Sequence, residues 1–230
     1  MKSFFVYILV FIAFTACTKV VDSGSSTTTG KTYLSLTVAD SLLPYKGFVV
    51  TPNDGSLITT LGYFNSVGYF NFVSGTTDIK IQSPISGSVF FDTVVNLAAG
   101  SINTAFAYSY GNIAKATIVQ DDYSSPAAGK AKVRLLNLWT ALSSGTANFT
   151  ISDGANTFNF SKRYFLDHEK DHSLENFISI PASNYTIYAT VGTSLIINPF
   201  SFNLLNGKIY TIAVTDVRGG QLISPVIAHN

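Results

Sequence analysis

The chain has 230 residues, of which 47% are hydrophobic, 13% aromatic and only 12% charged, and its formal net charge is +1. That balance offers no basic surface, which argues against nucleic acid or anionic lipid as a partner. Cys17 is the only cysteine, so disulfides and thiolate metal sites are excluded and stability has to come from packing.

The first predicted element is a leader. Lys2 is followed by an apolar run from Phe4 to Phe14 and then by Thr15-Ala16-Cys17. A short positive region, an apolar core and small residues before a cysteine resemble a bacterial lipoprotein signal. The reading is a signal peptide over 1–16, removed to leave Cys17 as the lipid attachment residue; an uncleaved export signal is the alternative, because Phe14 stands where leucine is commonest. The run is too short to span a bilayer, which takes about 20 apolar residues. Loss of Lys2 with the leader brings the formal charge to zero. Residues 17–31, with Ser23-Gly24-Ser25-Ser26-Thr27-Thr28-Thr29-Gly30, have almost nothing to bury and read as a flexible tether.

From Thr32 the pattern changes to short apolar stretches of period two, separated by Gly, Asn, Asp and Pro. Strands are predicted at Tyr33 to Val38, Gly47 to Thr51, Tyr69 to Val73, Asp78 to Gln82, Val89 to Asn96, Ile102 to Tyr108 and Ile113 to Val119, with a turn at Pro52-Asn53-Asp54-Gly55. This is the rhythm of an antiparallel β-sandwich. Asp121 to Lys130 is polar, carries Ser124-Ser125-Pro126, and reads as an interdomain linker.

The chain then repeats itself. Val50 to Gly55 returns as Phe149 to Gly154, and Asn96-Leu97-Ala98-Ala99-Gly100 returns as Asn203-Leu204-Leu205-Asn206-Gly207. The two offsets differ by eight residues, which places an insertion at about 161–176, the most charged stretch of the second copy. Two all-β domains are expected, 32–124 and 125–230. The Asn-Leu-x-x-Gly element reads as a hairpin turning on a glycine at positive φ, with Leu195 to Asn203 as one strand before it in the second copy.

Lys132-Val133-Arg134-Leu135-Leu136-Asn137-Leu138, Asp153-Gly154, Pro181-Ala182-Ser183-Asn184-Tyr185-Thr186-Ile187-Tyr188 and Leu204 to Val214 resemble the bacterial domain-of-unknown-function family 4397. The resemblance runs over both copies. It implies two tandem immunoglobulin-like antiparallel sandwiches in an exported, often lipid-anchored protein of Bacteroidetes and related bacteria, with no assigned molecular role and no catalytic residues to transfer. Ser183-Asn184 departs from the family, which usually has a glycine there.

The motif that invites chemistry is His168-Glu169-Lys170-Asp171-His172, which fits the H-E-x-x-H pattern of zinc-dependent hydrolases. It lies in the insertion of a β-rich repeat, without a long amphipathic helix, and a solvated loop explains it better than a metal site. His229, the penultimate residue, reads as part of a frayed end. No serine sits in a nucleophile elbow, and acids such as Asp54 and Asp153 fit turns. Trp139, Tyr63, Phe64, Tyr69, Phe70, Tyr164 and Phe165 are candidates for an aromatic platform, although aromatics on strands usually pack inside; Trp139 is the best ligand-facing candidate, at a domain end where loops gather.

These observations point to a lipid-anchored, non-catalytic binding or structural module of the cell envelope, on the outer membrane or cell surface. No cofactor and no metal are expected. Its partners are the membrane, through the N-terminal lipid, and a glycan or an envelope protein. A glycan-binding accessory protein of polysaccharide uptake and an adhesin or fimbrial subunit are the two rival versions; a zinc-dependent hydrolase is the outsider.

Overall fold

The structure, a computed structural model, describes residues 30–39, 46–51, 57–62, 65–111, 113–142, 145–195, 199–216, 222–223 and 226–229. The leader, Cys17, nearly all of the tether, the Pro52 to Gly55 turn and the pair Tyr63 and Phe64 lie outside them.

The described chain is all-β. Its first part holds β1 (Lys31–Val38), β2 (Lys46–Thr51), β3 (Leu57–Leu61), β4 (Ser66–Val73), β5 (Gly75–Gln82), β6 (Val89–Leu97), β7 (Ile102–Tyr110) and β8 (Ile113–Gln120). The second part holds β9 (Lys130–Leu138), β10 (Ala147–Ser152), β11 (Thr157–Arg163), β12 (Ile178–Pro181), β13 (Asn184–Val191), β14 (Ser194–Leu195), β15 (Phe200–Asn203), β16 (Ile209–Asp216), β17 (Leu222–Ile223) and β18 (Val226–His229). They form four sheets. Sheet I has the order β4-β1-β7-β8 and sheet II β3-β2-β5-β6; sheet III is β12-β9-β16-β17 with β18 also on β16, and sheet IV is β11-β10-β13-β14 with β15 also on β13.

Three layers of side chains hold the four sheets in the sequence II, I, III, IV. Leu34, Leu36, Ala105 and Ala107 of sheet I close on Val50, Ile79 and Ile81 of sheet II. Val133, Leu135, Ile212 and Val214 of sheet III close on Phe149, Ile151, Tyr185 and Ile187 of sheet IV. Between sheets I and III, Ala39, Phe106, Tyr108 and Val119 meet Leu136, Leu138 and Ala213. Period-two alternation explains the assignment: on β7, Ala105 and Ala107 face one layer while Phe106 and Tyr108 face the other. Sheets I and III are thus covered on both faces, and β1, β7 and β9 are buried almost residue by residue. Truncating a fully buried leucine such as Leu36 to alanine removes roughly 2–5 kcal/mol.

Three expectations change. β1 pairs with β7, and β9 with β16, in parallel, so the sheets are mixed rather than antiparallel throughout. Alternation of side chains is blind to strand direction, which is why the sequence pattern missed it. The Asn-Leu-x-x-Gly element is an arch and not a hairpin: β6 belongs to sheet II and β7 to sheet I, and β15 and β16 are divided between sheets IV and III in the same way. Its glycines do take positive φ, +77° at Gly100 and +76° at Gly207. Leu195 to Asn203 is two short strands among the described residues.

Candidate functional site: a buried polar clasp and its cleft

The layer between sheets I and III is apolar at one end and charged at the other. Arg134 on β9 points into it from a strand whose neighbours Val133, Leu135 and Leu136 are all buried, and it is itself 0% exposed. A guanidinium cannot lose its charge there, so it needs an anion and a full set of acceptors. The anion and one acceptor come from the end of β8 and the residue after it, and a further acceptor from β16. Arg134 Nη2 forms a buried ion pair with Asp121 Oδ1, Nη1 donates to the Gln120 carbonyl at 2.8 Å, and Nε donates to Thr211 Oγ1 at 2.8 Å. The Phe177 ring lies 4.5 Å below its central carbon. The second Asp121 oxygen accepts from Thr104 Oγ1 at 2.6 Å and from the Tyr69 hydroxyl at 2.8 Å.

His229 completes the cluster, buried rather than frayed. Its Nδ1 lies 2.9 Å from the Tyr69 hydroxyl and its Nε2 2.7 Å from Thr211 Oγ1. Tyr69 gives its only proton to Asp121, so it accepts from His229 Nδ1–H. Burial holds the His229 pKa down to about 4, so the ring is neutral and Nε2 accepts from the Thr211 hydroxyl; the same desolvation, reinforced by the Asp121 charge, pushes the Tyr69 phenol well up.

Residues 161–176 form a second tie. Arg163, at the end of β11, pairs with Asp167 and donates through Nη2 to the carbonyls of Leu135 at 3.0 Å and Leu174 at 3.2 Å. This anchors a loop of two 3₁₀ turns, Asp167–Glu169 and His172–Glu175. His168 reaches across to β8, with Nε2 3.0 Å from Thr117 Oγ1, and Phe165 packs on Tyr108 and Tyr110 at 5.8 and 5.6 Å. Leu166 adopts φ 53°, a strained value for leucine, and its N–H donates to the Asn137 carbonyl at 2.9 Å while its side chain packs on the interface layer. This segment thus packs on β8 and β9 and is not a solvated loop.

The two histidines of the H-E-x-x-H motif part company. His168 is buried, its pKa lowered to about 4 by desolvation, whereas His172 is exposed and its Nδ1 sits 3.0 Å from Glu175 Oε1. Among the described residues no group of three or more His, Cys, Asp or Glu is placed to hold a metal ion. Trp139 is half-buried against the layer between sheets III and IV.

Beside the clasp opens a cleft of about 750 Å³, walled by Gln120, Asp121 and Asp122 on one side and by His172, Ser173 and Phe177 on the other. Asp122 is held by Lys132 at 2.5 Å and by the Ser124 N–H at 2.8 Å, which bring its carboxyl to about 2. Glu175 is pushed the other way, raised by burial. The lining offers hydrogen-bonding groups together with the face of the Phe177 ring.

The clasp was hidden in the sequence. Asp121 fell in the linker, Arg134 in an apolar motif and His229 at the terminus. One signal was available: a lone arginine amid Val133, Leu135, Leu136 and Leu138 has no reason to be on a buried strand unless a carboxylate meets it there.

Residues 36–144 match the model of a domain of unknown function, DUF4397. That single span starts within β1 and runs past β9, crossing the junction placed near 125 and covering less than the resemblance drawn from 32 to the C-terminus. No curated protein matches. Among solved structures, the chain is similar to the Bacillus anthracis TIE protein at 13% identity and a TM-score of 0.27, covering 84% of this chain and 34% of that one. It is similar to a putative cell adhesion protein from Bacteroides uniformis ATCC 8492 at 11% identity and 0.27, covering 87% and 97%. A putative carbohydrate binding protein from the same strain matches at 10% and 0.22, covering 75% and 99%. The chain spans about a third of the length of the TIE protein.

Proposed function

We propose that the chain is an exported, lipid-anchored, non-catalytic binding module of the cell envelope, built of two tandem immunoglobulin-like sandwiches divided near residue 125. The observation that carries this reading is the clasp: Arg134, Asp121, Tyr69 and His229 bind one another, and His168 meets Thr117, across the layer between sheets I and III, while Arg163 holds Asp167 beside it. Side chains used this way fix surfaces in place; they do not turn over substrate. The tandem division is supported by recurring pairings. β1 with β4 and β7, β2 with β3 and β5, and β5 with β6 return as β9 with β12 and β16, β10 with β11 and β13, and β13 with β14 and β15. The anchor rests on Lys2, Phe4 to Phe14 and Cys17.

The test is to express the full chain in a Gram-negative host and measure the intact mass of the membrane-bound product. Acylated protein beginning at Cys17, lost in Cys17→Ser, supports the reading. An unmodified protein that keeps its leader overturns the anchor.

A further inference from the structure

The cleft beside the clasp is lined by side chains that the fold leaves unspent. On one side Asp121 turns inward to Arg134, so its neighbours Gln120 and Asp122 are exposed, and the Gln120 carbonyl accepts from Arg134 Nη1 at 2.8 Å. On the other side the His172–Glu175 turn is capped by Asp171, whose Oδ1 accepts from the Ser173 N–H at 3.0 Å, and Arg163 donates to the Leu174 carbonyl at 3.2 Å. Phe177 follows that turn, half-buried, with its ring 4.5 Å from the central carbon of Arg134. The side chains of Gln120, Ser173 and Asn176 line the cleft, are exposed, and make no hydrogen bond to the described residues. The smaller cavity beside β4, of about 250 Å³, differs: Ser35 Oγ donates there to the Val67 carbonyl at 2.6 Å, and Tyr69 and His229 bond to each other.

Charge narrows what the cleft can take. Among the described residues no lysine or arginine lines it, so an anion would meet carboxyls and no free cation. An amine gains little, because Asp121 is matched by Arg134 and Asp122 by Lys132, and burial holds the third carboxyl, Glu175, above its ordinary range. A wholly apolar molecule would strip water from the amides and the hydroxyl without replacing its bonds. The lining suits an uncharged molecule that donates and accepts at many points and has an apolar face for Phe177. We propose that the cleft binds a neutral sugar, the end or a short stretch of a glycan, with its hydroxyls on Gln120, Asp122 and Asn176 and its C–H face on Phe177. Its volume of about 750 Å³ falls in the range of small-molecule sites, roughly 300–1,000 Å³. This rests on the non-catalytic binding reading above and names its ligand class.

The test uses the full chain in a polyoxyethylene detergent, which carries no sugar, titrated by saturation-transfer nuclear magnetic resonance. The probes are cellotriose, maltotriose, mannotriose, xylotriose and triacetylchitotriose, with trigalacturonate and spermidine beside them. At least one neutral trisaccharide should bind, with an affinity that about 0.5 M salt leaves unchanged. Gln120→Ala and Asn176→Ala alter exposed side chains, so melting should not move, and each should weaken the sugar roughly three- to tenfold, the worth of a hydrogen bond between neutral groups. Tyr110→Ala, at an exposed aromatic where β7 ends on the far side of the layer, should leave binding as it is. The proposal is overturned if no neutral sugar binds, if binding survives both amide substitutions, or if trigalacturonate or spermidine binds there instead. The bound sugar is then recovered and sized: an intact trisaccharide keeps the non-catalytic reading, and a cut one overturns that reading while the sugar site stands.

Discussion

Replacing Arg134 with methionine keeps most of the side-chain volume and removes the cation. Asp121 then remains in a layer where its side chain is only 1% exposed, with Thr104 and Tyr69 as its remaining side-chain donors. The Gln120 carbonyl loses the Nη1–H it accepts from, and Thr211 loses its bond from Nε. Removing one partner of a buried pair typically costs about 3–5 kcal/mol, because the other charge is left uncompensated. For a chain of this length, a melting shift of about 2–4 °C per kcal/mol makes that a fall of roughly 6–20 °C. The double variant Arg134→Met, Asp121→Leu removes both charges and should recover a good part of the loss, since apolar replacements of buried pairs are often near neutral. Urea unfolding followed by tryptophan fluorescence and circular dichroism measures the parent, both single variants, Asp121→Leu included, and the double variant. A loss below about 1 kcal/mol in the single variant, or a double variant worse than the sum of the singles, would refute the claim that this pair is a coupled, desolvated unit.

Acid should loosen the same layer. His229 and His168 titrate near 4 when folded against about 6.5 when unfolded, so the unfolded chain binds more protons between those values and stability falls as pH drops through that window. At ~1.36 kcal/mol per pH unit each histidine accounts for about 3 kcal/mol, and His229→Gln should flatten the urea-midpoint profile between pH 6.5 and 4. Arg163→Met should strip the 164–177 segment of its anchor, leaving Asp167 unpaired, with a loss of roughly 3–5 kcal/mol and new protease cleavage within 164–177 that the wild type resists. Gly207→Ala meets no atom within 4 Å, so only its φ of +76° is penalised, and a loss of about 1 kcal/mol in urea unfolding is expected.

Strand existence was legible because period-two burial leaves its mark on every strand; Tyr33 to Val38 and Ile102 to Tyr108 fall within β1 and β7. What alternation cannot carry is partnership. Nothing local tells that β7 lies parallel to β1, or that the glycine at 100 leads into a different sheet. The clasp was illegible for a related reason: Asp121 and Arg134 are close in sequence, yet Tyr69 and His229 are 160 residues apart, and only packing of sheet I on sheet III brings them together. Polarity pointed the wrong way at both ends of that contact. Asp121 was placed with linker acids and His229 with the terminus, although both are buried. The His168 to His172 motif failed as a metal site because two 3₁₀ turns, not a helix, separate the rings and aim them at Thr117 and Glu175.

The most direct test of the account is a distance distribution across the clasp. Spin labels placed at the exposed positions Asn96 in sheet II and Ser201 in sheet IV, in a Cys17→Ser background, report on the two outer layers of the stack by pulsed electron paramagnetic resonance. The account predicts one narrow distribution in the parent protein that broadens in Arg134→Met. A broad distribution in the parent, unchanged by that substitution, would contradict it, because the two halves would then move independently and the buried pairs would not be joining them.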